Sequence, residues 1–210
     1  IGAATEHLGA YQGHGNVAHP HGILITWATI TEGGVQVNAA GERFWNEAQG
    51  YSEAARAVLS QPDSEAYAIF DGRIAAIARQ FEDFKRAEAQ GAIKSAATLE
   101  DLALALGLPA RTLCKTITDI PLDSTDRFGR TFGKSVLSPP FCGVRVTGAL
   151  FHTQGGLRVD TSARVISKDG SSIPNLYAGG GAACGVSGSA DSGYLSGNGL
   201  LAAAVLGRIA

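Results

Sequence analysis

Two stretches, Asn175-Leu-Tyr-Ala-Gly-Gly-Gly181 and Gly193-Tyr-Leu-Ser-Gly-Asn-Gly-Leu200, decide how this chain is read. The first is a strand, Asn175–Ala178, that runs into three glycines. The second is a glycine cluster that opens the apolar helix Leu200–Ile209. Strand, glycine loop and helix N-terminus together turn backbone N–H groups toward a ligand. The helix end adds partial positive charge, so a fitting ligand collects negative charge there. A phosphate does so, and so does a reduced flavin, around N1 and the C2 carbonyl. The run is not the dinucleotide fingerprint, since GxGxxG occurs nowhere in the chain. An ordinary glycine-rich connection is the alternative that this segment alone leaves open.

Outward from these runs, glycine marks a step in composition. Of 28 glycines in 210 residues, half lie in residues 1–142 and half in the much shorter 143–210, so the two parts are built differently. With 45% hydrophobic and 17% charged residues the chain is globular, not disordered. A net charge of −2 gives no basic field, so neither nucleic acid nor acidic lipid is an expected partner. The longest uncharged apolar runs, Ile23–Ile30 and Leu200–Leu206, are too short to span a bilayer. Cys114, Cys142 and Cys184, an odd count without a CxxC, fit neither a disulfide framework nor a zinc site. A reducing, cytoplasmic compartment is expected. The chain has no Met and begins at Ile1, which reads as a piece of a longer protein.

Short mixed elements fill the rest. Residues 1–21 show little periodicity. Gly22–Ile30 and Val35–Asn38 read as β-branched strands, Ser52–Leu59 as a short helix and Ala66–Phe70 as a strand. Ile74, Ile77, Ala78, Phe81 and Phe84 keep i, i+3, i+4 spacing, which predicts one amphipathic helix out to Gln90. Thr98 caps a further helix, and Gly107-Leu-Pro109 turns it into a partner carrying Leu113 and Ile117. That pair has the outline of a DNA reader, but its second helix offers only Arg111 and Lys115. A packed helical hairpin is expected instead. Lys168-Asp-Gly170 reads as a hairpin turn.

His152-Thr-Gln-Gly-Gly156 is the other candidate for chemistry. Adjacent glycines let a backbone lie flat against a planar ring, with the histidine delivered to the ring's edge. A tight turn with a solvent-facing histidine is the alternative. The early histidines His7, His14, His19 and His21 match no metal-ligand spacing, so no metal is expected. One of them acting on a substrate is the better reading.

The motifs then reach a resemblance. Gly41-Glu-Arg-Phe-Trp-Asn-Glu47 resembles the G-x-R-F-x-N-E run of the fumarate reductase/succinate dehydrogenase flavoproteins, and His152–Gly156 is similar to their H-T-M-G-G, with Gln154 for Met. Leu157-Arg-Val-Asp160, Ile173-Pro-Asn-Leu-Tyr-Ala-Gly-Gly180 and Ser196-Gly-Asn-Gly-Leu-Leu201 resemble that family's C-terminal part, in order. The resemblance implies an α+β fold. Residues 21–148 would form a capping domain of short strands and helices over the substrate. Residues 1–20 and 149–210 would be segments of an incomplete α/β FAD-binding domain. It also implies FAD as cofactor, with Gly155 and Gly156 at the ring near N5, Asn198, Gly199 and Leu200 at the pyrimidine, and Gly197 among the cofactor-binding residues. Gly179 and Gly180 join them in the glycine loop. His19 and His152 would bind the substrate's activating group, while Arg43, Asn46 and Glu47 are expected to bind each other and the fold.

Three departures bear on the substrate. Tyr51 stands where the family's dicarboxylate reductases carry a proton-delivering Arg. Their glycine-loop Arg is missing from Ser187-Gly-Ser-Ala-Asp-Ser-Gly193, and Gly181 replaces an acidic residue that helps hold FAD. Losing two guanidiniums removes the bidentate clamps a dicarboxylate needs. Tyr51 and Tyr194 instead resemble the tyrosine pair of the 3-ketosteroid Δ1-dehydrogenases, in which one phenol takes a proton and another polarises a carbonyl. Packing in the cap is the alternative for Tyr51. The expected reaction adds or removes hydrogen across a C–C bond beside a carboxylate or carbonyl of a small molecule. Tyr51 or Tyr194 would move the proton. A ketosteroid-type dehydrogenase, or a module with no activity of its own, are the rival readings, and the 210 residues alone are expected to hold FAD poorly. The electron partner is left open.

Overall fold

The structure, a computed structural model, describes residues 1–210 and shows an α+β fold. In chain order it begins with β1 (Thr5–Glu6), β2 (Tyr11–Ala18), β3 (Ile23–Leu24), α1 (Ala28–Thr31), β4 (Val35–Val37), α2 (Tyr51–Leu59) and β5 (Glu65–Asp71). It continues with α3 (Gly72–Ala78), α4 (Glu82–Ala89), β6 (Ile93–Ala96), α5 (Leu99–Leu106), α6 (Ala110–Thr118) and β7 (Phe141–Thr153). The last elements are β8 (Gly156–Leu157), β9 (Arg164–Ile166), β10 (Ser172–Tyr177) and α7 (Asn198–Ile209). These gather into two units, residues 14–149 and residues 1–13 with 150–210. Residues 14–20, read above with the flanking segments, thus lie in the larger unit.

The larger unit is built on a sheet of order β3-β2-β7-β5-β4, with β6 also paired to β7. β5 runs antiparallel to β7, from Glu65↔Thr147 to Asp71↔Phe141, and to β4 on its other side. Ala66, Ala68, Ile69 and Phe70 are all fully buried, so β5 is covered on both faces and reads as an apolar run. Phe70 meets Phe84 of α4 with ring centres 6.0 Å apart and tilted by 60°. Full burial of such a ring stabilises the fold by about 1.5–3 kcal/mol. Gly15 sits in β2 because a Cβ there would collide with Ala54 of α2. On the sheet's flank, the Thr98 hydroxyl accepts from the Asp101 N–H at 3.1 Å, and Gly107 ends α5 at φ 72°. The α5–α6 pair is the packed hairpin expected, with Leu102, Leu113 and Ile117 buried.

Two expectations need correction. The single helix from Ile74 to Gln90 is two helices: Arg79 closes α3, and Phe81, extended at φ −102° and ψ 128°, opens α4. Apolar spacing runs on across the break because both helices bury residues in one core. The expected strand Gly22–Ile30 is only Ile23–Leu24, after which the chain turns into α1. There the Thr29 hydroxyl donates to the Thr26 carbonyl at 2.9 Å and accepts from Asn16 Nδ2 at 3.0 Å. Local hydrogen bonding overrides the β-branched run.

The smaller unit has a core of Val165, Ala178 and Ala183, with Leu157, Val159, Ile173 and Leu206 packed around it. β9 and β10 pair antiparallel across the Lys168-Asp-Gly170 turn, and β1 pairs antiparallel with β8. Hydroxyl donation from Ser167, then Ser171, holds the Asp169 carboxyl down at about 2. No helix of the chain is long and apolar enough to cross a membrane.

Candidate active site

In the smaller unit, α7 begins at Asn198 behind Gly197, which takes the left-handed conformation at φ 82° and supplies no side-chain cap. The first-turn N–H groups of a helix so begun point out of its end. Asn198 is buried. Its Oδ1 accepts from the Val186 N–H at 3.1 Å, and its Nδ2 donates to Ser187 Oγ at 2.9 Å and to Gln154 Oε1. Gln154, also buried, places Nε2 at 2.9 Å from His152 Nδ1 and 3.4 Å from His152 Nε2. Proximity to both ring nitrogens puts the amide against the Cε1 edge. Tyr194 meets the same imidazole at 6.3 Å and 80°, edge to face. The structure therefore brings His152, Tyr194, Asn198 and Gly199 together, with Gln154 and Ser187 as members that motif reading had not counted as site residues.

His152, Gln154, Gly180, Gly181, Gly199 and Leu200 help line a pocket of about 260 Å³. A Cβ on Gly199 would stand 2.7 Å from His152 Cε1, while Gly181 has nothing within 4 Å and opens a flat floor. Glycine floor, helix N-terminus and polar rim fit the edge of a flavin ring. The volume lies below the range of about 300–1,000 Å³ usual for small-molecule pockets, so it suits a ring edge, not a whole dinucleotide. Other expected glycines pack closely against the chain itself. A Cβ on Gly155 would strike the His7 carbonyl, one on Gly156 the Ala182 carbonyl at 2.5 Å, and one on Gly179 would press Leu206 Cβ at 3.1 Å.

In the larger unit Tyr51 is the first residue of α2 and stacks on His14, with ring centres 4.9 Å apart and planes 17° apart. Trp27 meets His14 edge-on at 5.8 Å and Tyr51 at 6.4 Å, and Trp45 lies 6.4 Å from Trp27. Burial pushes the His14 imidazole down to about 4, so it is neutral at pH 7. The Asn16 N–H donates to Nδ1 at 3.2 Å, which leaves the His14 proton on Nε2. Trp45 is pinned by its indole N–H to Gln36 Oε1 at 3.0 Å, and Gln36 Nε2 donates to the Gly15 carbonyl at 2.7 Å. His19, the histidine expected to bind the substrate's activating group, lies 3.0 Å from Glu65 Oε1, with Arg145 3.4 Å from the other carboxylate oxygen. It is His14 that meets Tyr51. Spacing between histidines held no signal for this. Recognition of β2 as a strand places His14 and Asn16 on one face.

Arg43 and Glu47 bind each other and the fold. Arg43 Nε donates to Glu47 Oε1 at 2.9 Å, and the guanidinium also pairs with Asp126. Arg130 lies 3.2 Å from Glu47 Oε2, and the Gln36 N–H donates to Oε1 at 3.0 Å. Burial lowers the pKa of both arginines. Glu47 and Asp126 reverse this to a net rise at Arg43, whereas burial prevails at Arg130. Asn46 caps the turn by accepting from the Ala48 N–H at 2.9 Å.

A family model described as FAD binding domain matches residues 3–200. The chain is 30% identical over 215 residues to the probable fumarate reductase Ifc3 of Shewanella frigidimarina, covering all of this chain and 36% of that protein. It is 35% identical over 202 residues to the NADH:acrylate oxidoreductase of Vibrio harveyi, over 90% of this chain and 19% of that one. The solved open conformation of a flavocytochrome c3 fumarate reductase matches with a TM-score of 0.72 and 29% identity, over all of this chain and 37% of that one. The chain thus spans about a third or less of the length of these relatives.

Proposed function

Because the chain belongs to the FAD binding domain family, with fumarate reductases among its relatives, we propose that it carries the substrate side of an FAD-dependent oxidoreductase. The reaction adds or removes hydrogen across a C–C bond beside a carboxylate or carbonyl. The observation that carries this reading is the His152–Gln154–Asn198 network at the start of α7, bordering a glycine-floored pocket. Bound FAD supplies two-electron hydride chemistry. Gly180, Gly181, Gly199 and Leu200 would hold the edge of its ring, and the partial positive charge at the start of α7 would favour a group that gains negative charge there. His152 orients the activating carboxylate or carbonyl through a hydrogen bond. A phenol, Tyr51 or Tyr194, supplies the proton that one carbon of the C–C bond gains in the reducing direction, and the phenolate regains its proton from water. Oxidation runs the same steps backward.

A site without the two expected guanidiniums suits an acid with a single carboxylate. The name of the relative that acts on acrylate fits that reading. All three cysteines are free thiols, which supports a reducing, cytoplasmic compartment. The test is reoxidation of the reduced flavoprotein that carries this chain by acrylate, fumarate and a 1-en-3-oxosteroid, followed at the flavin absorbance. Rapid reoxidation by a 2-enoic acid is the expected result. Reoxidation by the steroid alone, or by none of the three, overturns the proposal.

A further inference from the structure

Arg145 of β7 stands directly opposite Tyr67 of β5, and the pair Lys94↔Gly143 puts Lys94 of β6 on the same face of the sheet. Part of that face is apolar and covered: a Cβ on Gly143 would stand 2.6 Å from Leu106 Cδ1 of α5. At Leu106 the cover ends and the face turns polar. The turn between β2 and β3 adds His19, Pro20 and His21, and the group lines a pocket of about 270 Å³ that lies wholly within residues 14–149.

Every polar side chain of that lining can donate a hydrogen bond, and no carboxylate or side-chain amide joins them. Glu65 steadies two of the donors, with Oε1 3.0 Å from His19 Nε2 and Oε2 3.4 Å from Arg145 Nη1, which leaves Arg145 Nε and Nη2 to spare. Lys94 Nζ donates to the Gly91 carbonyl at 2.9 Å and keeps two further protons. His21 turns Nδ1 to Gln90 Oε1 at 3.3 Å, and its Nε2 is uncommitted. The Tyr67 hydroxyl makes no hydrogen bond within the protein. Burial and then Glu65 push this phenol up against the pull of Arg145, so it remains a donor at pH 7. Lys94 and Arg145 outweigh Glu65 in charge, in a chain whose net charge is −2, so the positive surplus is local. A carboxylate offers two oxygens in one plane, whereas these donors come from β5, β6, β7 and the β2–β3 turn. A phosphate group offers three oxygens in different directions and about −1.5 to −2 of charge. We propose that His21, Tyr67, Lys94 and Arg145 bind the phosphate group of a small phosphate ester, with Pro20 and Leu106 beside its organic part. The site needs no part of the hydrogen transfer proposed above.

The experiment titrates phenyl phosphate, inorganic phosphate and succinate into the oxidised flavoprotein that carries this chain. FAD stays bound, so that sites for its own phosphates are filled, and heats are read by calorimetry in about 150 mM NaCl. Phenyl phosphate is expected to bind with a Kd of about 1 mM or below. Inorganic phosphate should bind more weakly, and succinate at least about tenfold more weakly than the ester. Lys94 is exposed on β6, and Lys94→Gln should weaken phenyl phosphate at least about fivefold. Tyr67→Phe removes only the hydroxyl and should weaken it at least about threefold. Unchanged affinity in both variants places the phosphate elsewhere and overturns the site. Absence of binding by either phosphate, or binding seen only at low salt, overturns it as well. Succinate bound as tightly as phenyl phosphate overturns the phosphate assignment, and inorganic phosphate bound more tightly than the ester overturns the place given to its organic part.

Discussion

The two units keep their shape by different means. Residues 14–149 close 27 buried apolar side chains into one core, whereas the unit of residues 1–13 and 150–210 closes three. α2 hides Ala54, Ala55 and Val58 completely, but α7 leaves Leu200, Leu201 and Val205 exposed. The smaller unit compensates with close backbone contact at glycines and with the Ser187–Asn198–Gln154–His152 network. Stability therefore resides mainly in the larger unit, and the smaller one holds reactive groups through directional bonds. The largest test of that contrast is Glu47→Ala, which strands the buried Arg130 and leaves the buried Arg43 with Asp126 alone. It should cost about 3–5 kcal/mol in urea unfolding. A loss under about 1 kcal/mol would mean that the larger unit does not depend on its buried ion pairs.

His14 comes next. Its folded pKa of about 4 lies below the ordinary 6.5, so the unfolded chain binds the extra proton between those values. Stability from this group is present above pH 6.5 and is lost as pH falls toward 4, by on the order of 3 kcal/mol. Urea midpoints of the native chain and of His14→Phe, measured at pH 7 and pH 5, check this. The variant should lose much of the acid sensitivity, and identical pH dependence would contradict it.

Smaller in stability but larger in chemistry is Gly199→Ala, whose Cβ enters the space beside the His152 ring. Overpacking of this kind costs about 1–3 kcal/mol, and kcat/KM of the flavoprotein should fall at least about tenfold as the imidazole is displaced. Retained activity would separate His152 from the reaction. The smallest effect is expected at Ser187→Ala, which removes the acceptor for Asn198 Nδ2 and for the Leu195 N–H at 3.1 Å. Thermal unfolding should register about 1 kcal/mol or less. A larger loss would show that the smaller unit leans on its polar network as heavily as the other leans on its core.

Local signals in the sequence were sound where the structure is local. The Thr98 cap, the Gly107 stop, the strand around Ala66–Phe70 and the turn at Lys168–Gly170 each follow from residues within a few positions. Tyr11–Ala18 was missed because its Gly15 answers to α2, a partner far along the chain. The break at Phe81 was hidden by an apolar spacing shared by two helices, although Glu82 and Asp83 are the acidic pair expected at a helix start. At the candidate site, motif order pointed to His152, Tyr194 and the α7 start, which the fold gathers. That His14 stacks on Tyr51 while His19 faces Glu65 depends on how β2 packs against α2 and β5. Spacing along a chain carries no record of that.

Both tryptophans of the chain stand in the one cluster beside Tyr51, 6.4 Å apart. The tryptophan emission of these 210 residues is consequently a report from a single place. Any ligand that touches the cluster, or any loosening of Gln36 behind it, should change colour or intensity of the whole signal with no background from elsewhere in the fold.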